Sequence, residues 1–400
     1  MRHLLLGSAI LSATLASAGF ASVVLAQAPV PRPHNVVLFV ADGLRFRMVD
    51  DRTAPTMAAM AREGVSLRNS HALFPTFTTA NAAGLATGHM PGDTGDFANT
   101  IYAGFEVPAA RNSQTPFLEN DAVLGDMDDH FSGDYLNEAT ILKLARDKGY
   151  STASIGKVGP ALIFDPTERS GNQTILVDDA TGGPKGIALS AQMTERLKAS
   201  GLPLAAPSRG ANAAAGNVST PGTLSLDDIS LEGTALTPHP AIAVSFRSFD
   251  TVCGEPVLCT VEVADTVLQQ GQGMHGSFSR ADTWNFMAMQ GPDFKSQFVD
   301  PAPASNTDVA RTIAQLMQLD VNDKGKLFGR VLSEALPNGA LPAVSSRVLI
   351  SERAPNGLST VINMQMVGDT RYYDAAGFPG RTVGLSTTPL QNGVTTTGRP

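Results

Sequence analysis

FPTFTTANAAGLATGHMPGDTG, residues 74–95, has the pattern of a loop that turns into a helix. Thr78 and Asn81 are three residues apart at the predicted helix start, so both side chains can face one point in front of the helix N-terminus. Free backbone N–H groups and the positive dipole end favour an anion there, and the Asn81 amide could donate to one of its oxygens. Such residues are also common helix caps without any chemistry, so this segment alone leaves both interpretations open.

A second segment favours the interpretation of residues 74–95 as a catalytic site over that of a simple helix cap. Val36–Val40 is a continuous apolar run, typical of a strand buried on both faces of a parallel sheet, and it ends in Ala41-Asp42-Gly43. Ligands of doubly wound α/β folds collect at the carboxyl ends of strands, where Asp42 would lie. A threonine hydroxyl is scarcely ionised at neutral pH and becomes a useful nucleophile only beside a base or a metal ion. Asp42 is the natural metal ligand for that purpose.

The order of these features, an apolar strand ending in Asp-Gly, then Pro-Thr-x-Thr-x-x-Asn, then Thr-Gly, resembles the alkaline phosphatase superfamily. The nearest resemblance is to its type I phosphodiesterase/nucleotide pyrophosphatase family. It implies that Asp42 binds a metal, that Thr78 attacks phosphorus while bound to that metal, and that Asn81 steadies the phosphoryl oxygens. The segment GMHGSF, residues 273–278, is similar to the setting of the family's last histidine ligand, which implies a metal-binding His275.

The resemblance covers about residues 35–179 and 236–320. It implies two divalent ions, zinc by preference, a small phosphorylated substrate such as a phosphodiester or a nucleotide, and a covalent phosphothreonine intermediate. Sulfatase chemistry is disfavoured because no cysteine occurs near the nucleophile loop. A phosphomonoesterase stays open, because the loop does not determine the number of ester links.

The centre of the family pattern is absent between the two matching regions. Residues 205–223 are a low-complexity run of Ala, Gly, Ser, Pro and Asn, where the family has an Asp-x-x-x-His pair and an Asp-His-Gly segment. Each ion therefore loses two side-chain ligands, although catalytic zinc normally keeps about three. Asp126 and His130 reproduce one spacing but follow no hydrophobic strand. The alternative is a non-catalytic relative that binds a phosphorylated ligand.

The sequence predicts an α/β fold, a mostly parallel sheet flanked by helices with a small C-terminal β appendage. We predict five segments: a signal peptide at 1–28, the N-terminal part of the α/β domain at 29–204, a linker and apparent deletion junction at 205–235, the C-terminal part of that domain at 236–345, and a β-hairpin with a tail at 346–400.

Composition and sequence patterns limit which partners the protein can bind and which compartment it occupies. The net charge of −8 and the lack of a basic stripe argue against a nucleic-acid polymer. The signal peptide predicts a periplasmic or secreted protein with no membrane span after cleavage. In such a compartment Cys253 and Cys259 could form a disulfide. His71 and His89 bracket the nucleophile loop, and we interpret them as hydrogen-bonded structural histidines.

Two further expectations concern the segment that follows the nucleophile loop. Asn99–Asp134 is rich in Gly, Pro, Asn and Asp and predicts an irregular surface excursion over the mouth of the site. Asn137–Lys148 predicts an amphipathic helix that ends at Gly149. Lys157, at the end of the next predicted strand, could reach a phosphate, but a solvated lysine is favoured there.

Overall fold

The computed structural model describes residues 35–202, 204, 224–245, 247–262 and 275–387. These residues belong to one compact unit. The predicted signal peptide and residues 205–223 of the predicted linker lie outside the described residues. Among the helices that the structure describes, none has both the length and the apolar character that crossing a bilayer requires.

The α-helices occur mainly where apolar residues recur at helical spacing. They are α1 (Pro55–Glu63), α2 (Thr78–Thr87), α3 (Pro91–Thr94), α4 (Asp121–His130), α5 (Ile141–Asp147), α6 (Pro160–Ile163), α7 (Ala191–Ala199), α8 (Arg280–Thr283) and α9 (Asn306–Met317). α2 begins where the Thr78 segment predicts a helix start. α9 carries a capping box, in which Ser305 and Asp308 satisfy each other's backbone N–H groups.

The strands form four small sheets within the described residues. They are β1 (Val65–His71), β2 (Thr152–Gly156), β3 (Thr174–Asp178), β4 (Ser248–Asp250), β5 (Thr260–Glu262), β6 (Ala288–Met289), β7 (Phe298–Ser305), β8 (Ser345–Ile350), β9 (Val361–Val367) and β10 (Thr370–Gly377). Pairing is parallel between β1 and β7 and between β2 and β3, and antiparallel elsewhere. The predicted α/β class is confirmed, with parallel pairing limited to two pairs.

The prediction of a buried strand at Val36–Val40 is wrong. These residues form no strand, and the side chains of Val37 and Phe39 are 90% and 74% exposed. A fully buried strand needs a hydrogen-bonded neighbour on each side and covered faces. In the described part of the chain β1 pairs with β6 and β7 instead, so no strand covers residues 36–40.

Two predictions between residues 99 and 148 need correction. α4 occupies part of the segment predicted to be irregular, because Asn120 caps it and Leu124 and Met127 are buried beneath it. The next helix, α5, begins at Ile141 rather than Asn137, since the Thr140 side chain accepts the N–H of Lys143 and ends the preceding loop. Helix capping and the burial of apolar side chains therefore determine the structure here, although the composition of the segment favours a loop.

The core joins distant parts of the chain. The largest cluster of buried apolar side chains combines residues of α2 and α4 with Ile362 and Met364 of β9 and Tyr373 of β10. The predicted C-terminal β element is therefore present as a three-stranded sheet, and it contributes to the same core as α2. The predicted Cys253–Cys259 disulfide is also present.

A buried ion-pair network attaches this C-terminal sheet to α9. The Arg330 guanidinium donates to the Glu334 carboxylate at 2.8 Å and to the Tyr372 hydroxyl at 2.7 Å. That hydroxyl in turn donates to Asp308 in the first turn of α9 at 3.0 Å. The Glu334 side chain is 1% exposed, so removing its cationic partner would leave a buried charge without compensation.

Asp96 is a fully buried carboxyl group that lies against α2. One of its oxygens accepts the Thr79 hydroxyl at 2.7 Å, and the other accepts the Tyr135 hydroxyl at 3.4 Å. Burial raises the pKa of Asp96 to about 7, because no cation offsets the loss of hydration. The folded protein therefore holds a proton here that the unfolded chain releases near its ordinary pKa of 3.8.

We predict that Arg330→Ala lowers the free energy of unfolding by about 3 kcal/mol, because Glu334 would stay buried without its cation. Lys143→Ala is the matched control, since it breaks an exposed ion pair with Asp147 one helical turn away. Such surface pairs contribute less than about 1 kcal/mol. Urea unfolding of both variants measures the difference. Equal, small effects would show that the buried pair does not stabilise the fold.

We predict that Asp96→Asn stabilises the protein at pH 8 by about 1 kcal/mol or more, and by less at pH 5. The raised pKa makes the contribution of Asp96 complete below about pH 3.8, and that contribution is lost as the pH rises to about 7. Urea unfolding at both pH values measures this difference. Asp147→Asn, an exposed control, should change stability equally at the two values. A pH-independent effect of Asp96→Asn would contradict the prediction.

Candidate active site

Thr78 occupies the first position of α2 and is half-buried. The preceding residue, Phe77, has an extended backbone, and its side chain cannot cap the helix. The backbone N–H of Thr79 instead donates to the side-chain oxygen of Asn99 at 3.0 Å. The start of α2 thus combines a hydroxyl, an amide side chain and the positive end of a helix dipole, which together favour an anion.

Asn81 supports the loop that leads into α2. Its amide nitrogen lies 3.0 Å from the carbonyl of Phe77, 3.2 Å from that of Leu73 and 3.3 Å from that of Pro75. Its oxygen accepts the Leu73 N–H at 2.8 Å. The two amide protons therefore face backbone carbonyls, so the expected donation from Asn81 to a phosphoryl oxygen would require these bonds to be released.

His275 lies beside the residues that precede Thr78. Its ring contacts Phe77 edge-on, with 5.8 Å between ring centroids. The N–H of Gly276 donates to the Thr76 hydroxyl at 2.8 Å and ties the two loops together. An added Cβ at Gly276 would lie 2.9 Å from the Phe77 ring, so the close approach requires glycine. The structure thus brings the predicted ligand His275 next to the nucleophile loop.

Asp42 reaches the same region through a chain of contacts. Its carboxylate lies 3.9 Å from the Lys157 ammonium group, which forms an ion pair with Glu119 at 2.5 Å. The Asn99 amide nitrogen lies 3.4 Å from the same Glu119 oxygen. This chain of side chains runs from the start of α2 to Asp42 at the end of the exposed apolar segment.

Sequence reasoning overlooked Asn99 and Glu119. Both fall in the Gly-, Pro- and Asn-rich segment after α2, where no periodicity separates functional from solvated polar residues. Glu119 directly precedes Asn120, the cap of α4, which is a weak signal, and Asn99 carries no comparable signal. Lys157, for which a solvated position was favoured, is 42% exposed and also forms ion-pair contacts with two carboxylates.

A buried carboxyl group lies behind the His275 loop. One oxygen of Asp282 accepts the N–H of Ser277 at 3.0 Å, and the other lies 3.5 Å from the Arg45 guanidinium. Burial raises the pKa of Asp282, and the bond from Ser277 and the charge of Arg45 oppose this shift. Asp282 thereby fixes the turn immediately after His275.

The two histidines that bracket the nucleophile loop are buried and hydrogen-bonded, as expected. The His71 ring lies 2.9 Å from the Asp374 carboxylate, and burial lowers the pKa of His71. The His89 ring bonds the carbonyl of Thr87 and the Arg311 guanidinium. Burial, followed by the charge of Arg311, lowers the pKa of His89 to about 4, so this imidazole is neutral at pH 7.

The alternative metal pair in α4 does not assemble. Asp126 accepts the N–H of Ala109 at 2.6 Å, whereas the His130 ring stacks on Phe105 with 3.5 Å between centroids. A carboxylate and an imidazole directed at different partners cannot share an ion. We therefore assign both residues to packing of the loop before α4.

The predicted ligands fit part of a metal site. Nδ1 of His275 is buried and has no hydrogen-bond partner among the described residues, which suits a metal-binding nitrogen. The Asp42 side chain, however, is 63% exposed and has a lysine as neighbour. Together with Thr78 these residues provide three ligands, whereas two ions need about three each. The set therefore does not complete the expected two-metal centre.

Comparisons with known proteins show that part of the chain is similar to a known family. Residues 36–181 match the family model of type I phosphodiesterase/nucleotide pyrophosphatase. The chain is also similar to steryl-sulfatase of Mus musculus, with 31% identity over 154 residues, which is 37% of this chain and 21% of that protein. The chain thus spans about a fifth of the length of the curated relative it matches.

Both similarities lead to one superfamily. The family match contains Asp42, the Thr78 loop and Lys157, which are the residues that the structure connects around the start of α2. The resemblance expected from the motifs is therefore confirmed for this region. Residues 36–181 are thus similar to the type I phosphodiesterase/nucleotide pyrophosphatase family, and the similarity to steryl-sulfatase lies within the same alkaline phosphatase superfamily.

Proposed function

We propose that this protein is an exported hydrolase of small phosphodiesters or nucleotide pyrophosphates, with Thr78 as nucleophile. The carrying observation is the position of Thr78 at a helix start whose preceding residue, Phe77, offers no capping side chain, in a loop next to a histidine nitrogen that has no partner among the described residues. The family match of residues 36–181 supports a phosphoester substrate. Asp42 and His275 are the residues that would hold a divalent ion.

The start of α2 would orient the substrate. Its free N–H groups and dipole favour the phosphoryl oxygens, and Asn99 is the amide side chain in contact with the first turn. Lys157 adds a positive charge near Asp42. These groups would hold the phosphorus in front of the Thr78 hydroxyl, as an in-line attack requires.

The reaction would proceed in two steps. In the first, the Thr78 oxygen bonds to phosphorus, the bond to the leaving alcohol breaks, and that alcohol takes up the proton. In the second, a water oxygen bonds to phosphorus and the bond to Thr78 breaks, which restores the hydroxyl. A divalent ion, when bound, supplies the positive charge that favours an ionised hydroxyl and a charged phosphate.

A second candidate function is binding without turnover. The exposed side chain of Asp42 and the incomplete ligand set favour it, because one carboxylate and one imidazole bind zinc weakly. In that case the start of α2 would still hold a phosphorylated ligand. The two candidates differ in turnover and share the same anion position.

Two observations support export. The Cys253–Cys259 disulfide is typical of an oxidising compartment such as the periplasm or the extracellular space. The N-terminal 28 residues have the pattern of a signal peptide. The proposed substrates are small phosphoesters, since the net charge of −8 disfavours a polyanion held by its backbone.

We predict that the full chain, supplied with zinc, hydrolyses bis(p-nitrophenyl) phosphate and that Thr78→Ala lowers kcat by at least about 100-fold, because the nucleophile is lost. Thr78→Ser is the matched control, since it keeps a hydroxyl at the helix start. Release of p-nitrophenol measures the rate. A parent chain that binds inorganic phosphate without hydrolysis would support the non-catalytic candidate, and equal rates for Thr78→Ala and the parent would exclude Thr78 as nucleophile.

We predict that Asn81 and Asn99 have different functions. Asn81→Ala should lower the free energy of unfolding by about 2 kcal/mol, because carbonyls before α2 lose their donor. Asn99→Ala should lower kcat/KM at least about tenfold with a smaller effect on stability. Thermal unfolding and the same phosphodiester assay distinguish them. The reverse pattern would assign phosphoryl binding to Asn81.

A further inference from the structure

A second group of potential metal ligands lies at the other end of α2. His89, Asp93 and Glu138 are buried, and each offers one ligand atom within 4.8 Å of the others. α2 has ten residues and rises about 15 Å, so this group is well separated from Thr78. Its residues come from the turn after α2, from α3 and from the loop before α5. None of them matches a ligand of the proposed active site.

The hydrogen bonding of His89 directs a lone pair into this group. Its Nδ1 lies 3.2 Å from the carbonyl oxygen of Thr87, so Nδ1 carries the proton and Nε2 does not. Nε2 lies 3.5 Å from a Glu138 oxygen and 3.3 Å from an Asp323 oxygen. Three atoms with lone pairs therefore face one another. The Arg311 guanidinium, 3.3 Å from Nε2 and 2.6 Å from the Asp323 oxygen, is the positive charge that opposes their repulsion.

Arg311 compensates only part of this negative charge. Its guanidinium forms two bonds to Asp323, at 2.6 and 3.1 Å, and lies 3.3 Å from Nε2 of His89. Among the described residues, no lysine or arginine forms an ion pair with Asp93 or Glu138. Two buried carboxylates are thus left without a cationic side chain, an unfavourable arrangement in a protein interior.

Backbone groups fix the orientation of both carboxylates. Asp93 accepts the N–H groups of Leu327 and Thr234 at 2.7 and 3.0 Å, and Glu138 accepts that of Gly325 at 2.6 Å. An added Cβ at Gly325 would lie 2.0 Å from an Asp93 oxygen, so only glycine allows this approach. The carboxylates are held in place before any ion binds, as outer-shell bonds hold metal ligands.

We propose that His89, Asp93 and Glu138 bind one structural divalent ion of the zinc class, in addition to any ion at the active site. One imidazole and two carboxylates are typical zinc ligands, whereas calcium prefers oxygen alone. Arg311 would release Nε2 of His89 and retain Asp323. The ion would attach the end of α2 to the segments that contain Glu138 and Leu327.

The test uses the full chain with Asp42→Asn and His275→Ala, so that the proposed active-site ligands are absent. After chelation and reloading with zinc, we expect one tightly bound zinc per chain by elemental analysis and a higher melting temperature than without metal. Adding Glu138→Gln should weaken zinc binding at least tenfold. Asp134→Asn is the matched control, because this nearby carboxylate is exposed and pairs with Lys324.

A second measurement covers the case in which Glu138→Gln fails to fold. Cobalt replaces zinc in the Asp42→Asn, His275→Ala chain, and its visible absorption reports ligand binding without a change at Glu138. A stoichiometric absorption that zinc abolishes supports the site. A chain that holds neither zinc nor cobalt, or a folded Glu138→Gln variant that binds zinc as tightly as its parent, would overturn the proposal.

Discussion

The hydrogen bonds of Asn81 determine the position of the loop that leads into α2. Its oxygen accepts the N–H of Leu73 and the side-chain amide of Asn306, both at 2.8 Å, while its nitrogen faces the carbonyls of the loop. One side chain thereby connects the end of β1, the start of α2 and the first turn of α9. The position of Thr78 depends on this connection, because the residue before it, Phe77, has no side chain that can cap the helix.

On the opposite side of the site, the position of Asp42 is much less constrained by packing. Val37 and Phe39 are largely exposed, and Ile155 at the end of β2 is 74% exposed. Apolar residues with β-forming character are normally covered by neighbouring strands or helices. Within the described residues no strand pairs with residues 36–40, so these apolar side chains stay uncovered. Asp42 is consequently positioned by Lys157 rather than by a strand.

α2 thus separates two regions of different chemistry. At its start a half-buried hydroxyl, an amide and the helix dipole favour an anion, and at its end buried carboxylates and a neutral imidazole favour a cation. Small buried residues along the helix, among them Ala83 and Ala86, let the core pack closely against it. The helix therefore fixes the distance between Thr78 at its start and His89 just beyond its end.

The sequence by itself determined the local features and the resemblance to the family. The Thr78 loop, the start of α2 and the disulfide all follow from short-range patterns, because neighbouring residues decide turns and helix starts. The family resemblance depended on the same local motifs. Each of these features lies within a few residues of the signal that predicts it.

Only the tertiary structure decided the roles of the polar residues and the outcome of the apolar run. Burial of Leu124 and Met127 made a helix of a segment whose composition favours a loop, and the lack of covering neighbours left Val36–Val40 outside any sheet. Asn81 and Asn99 have the same side chain, and only their contacts distinguish a loop support from a site residue. Contacts between residues far apart in sequence decide these outcomes, and no local pattern encodes them.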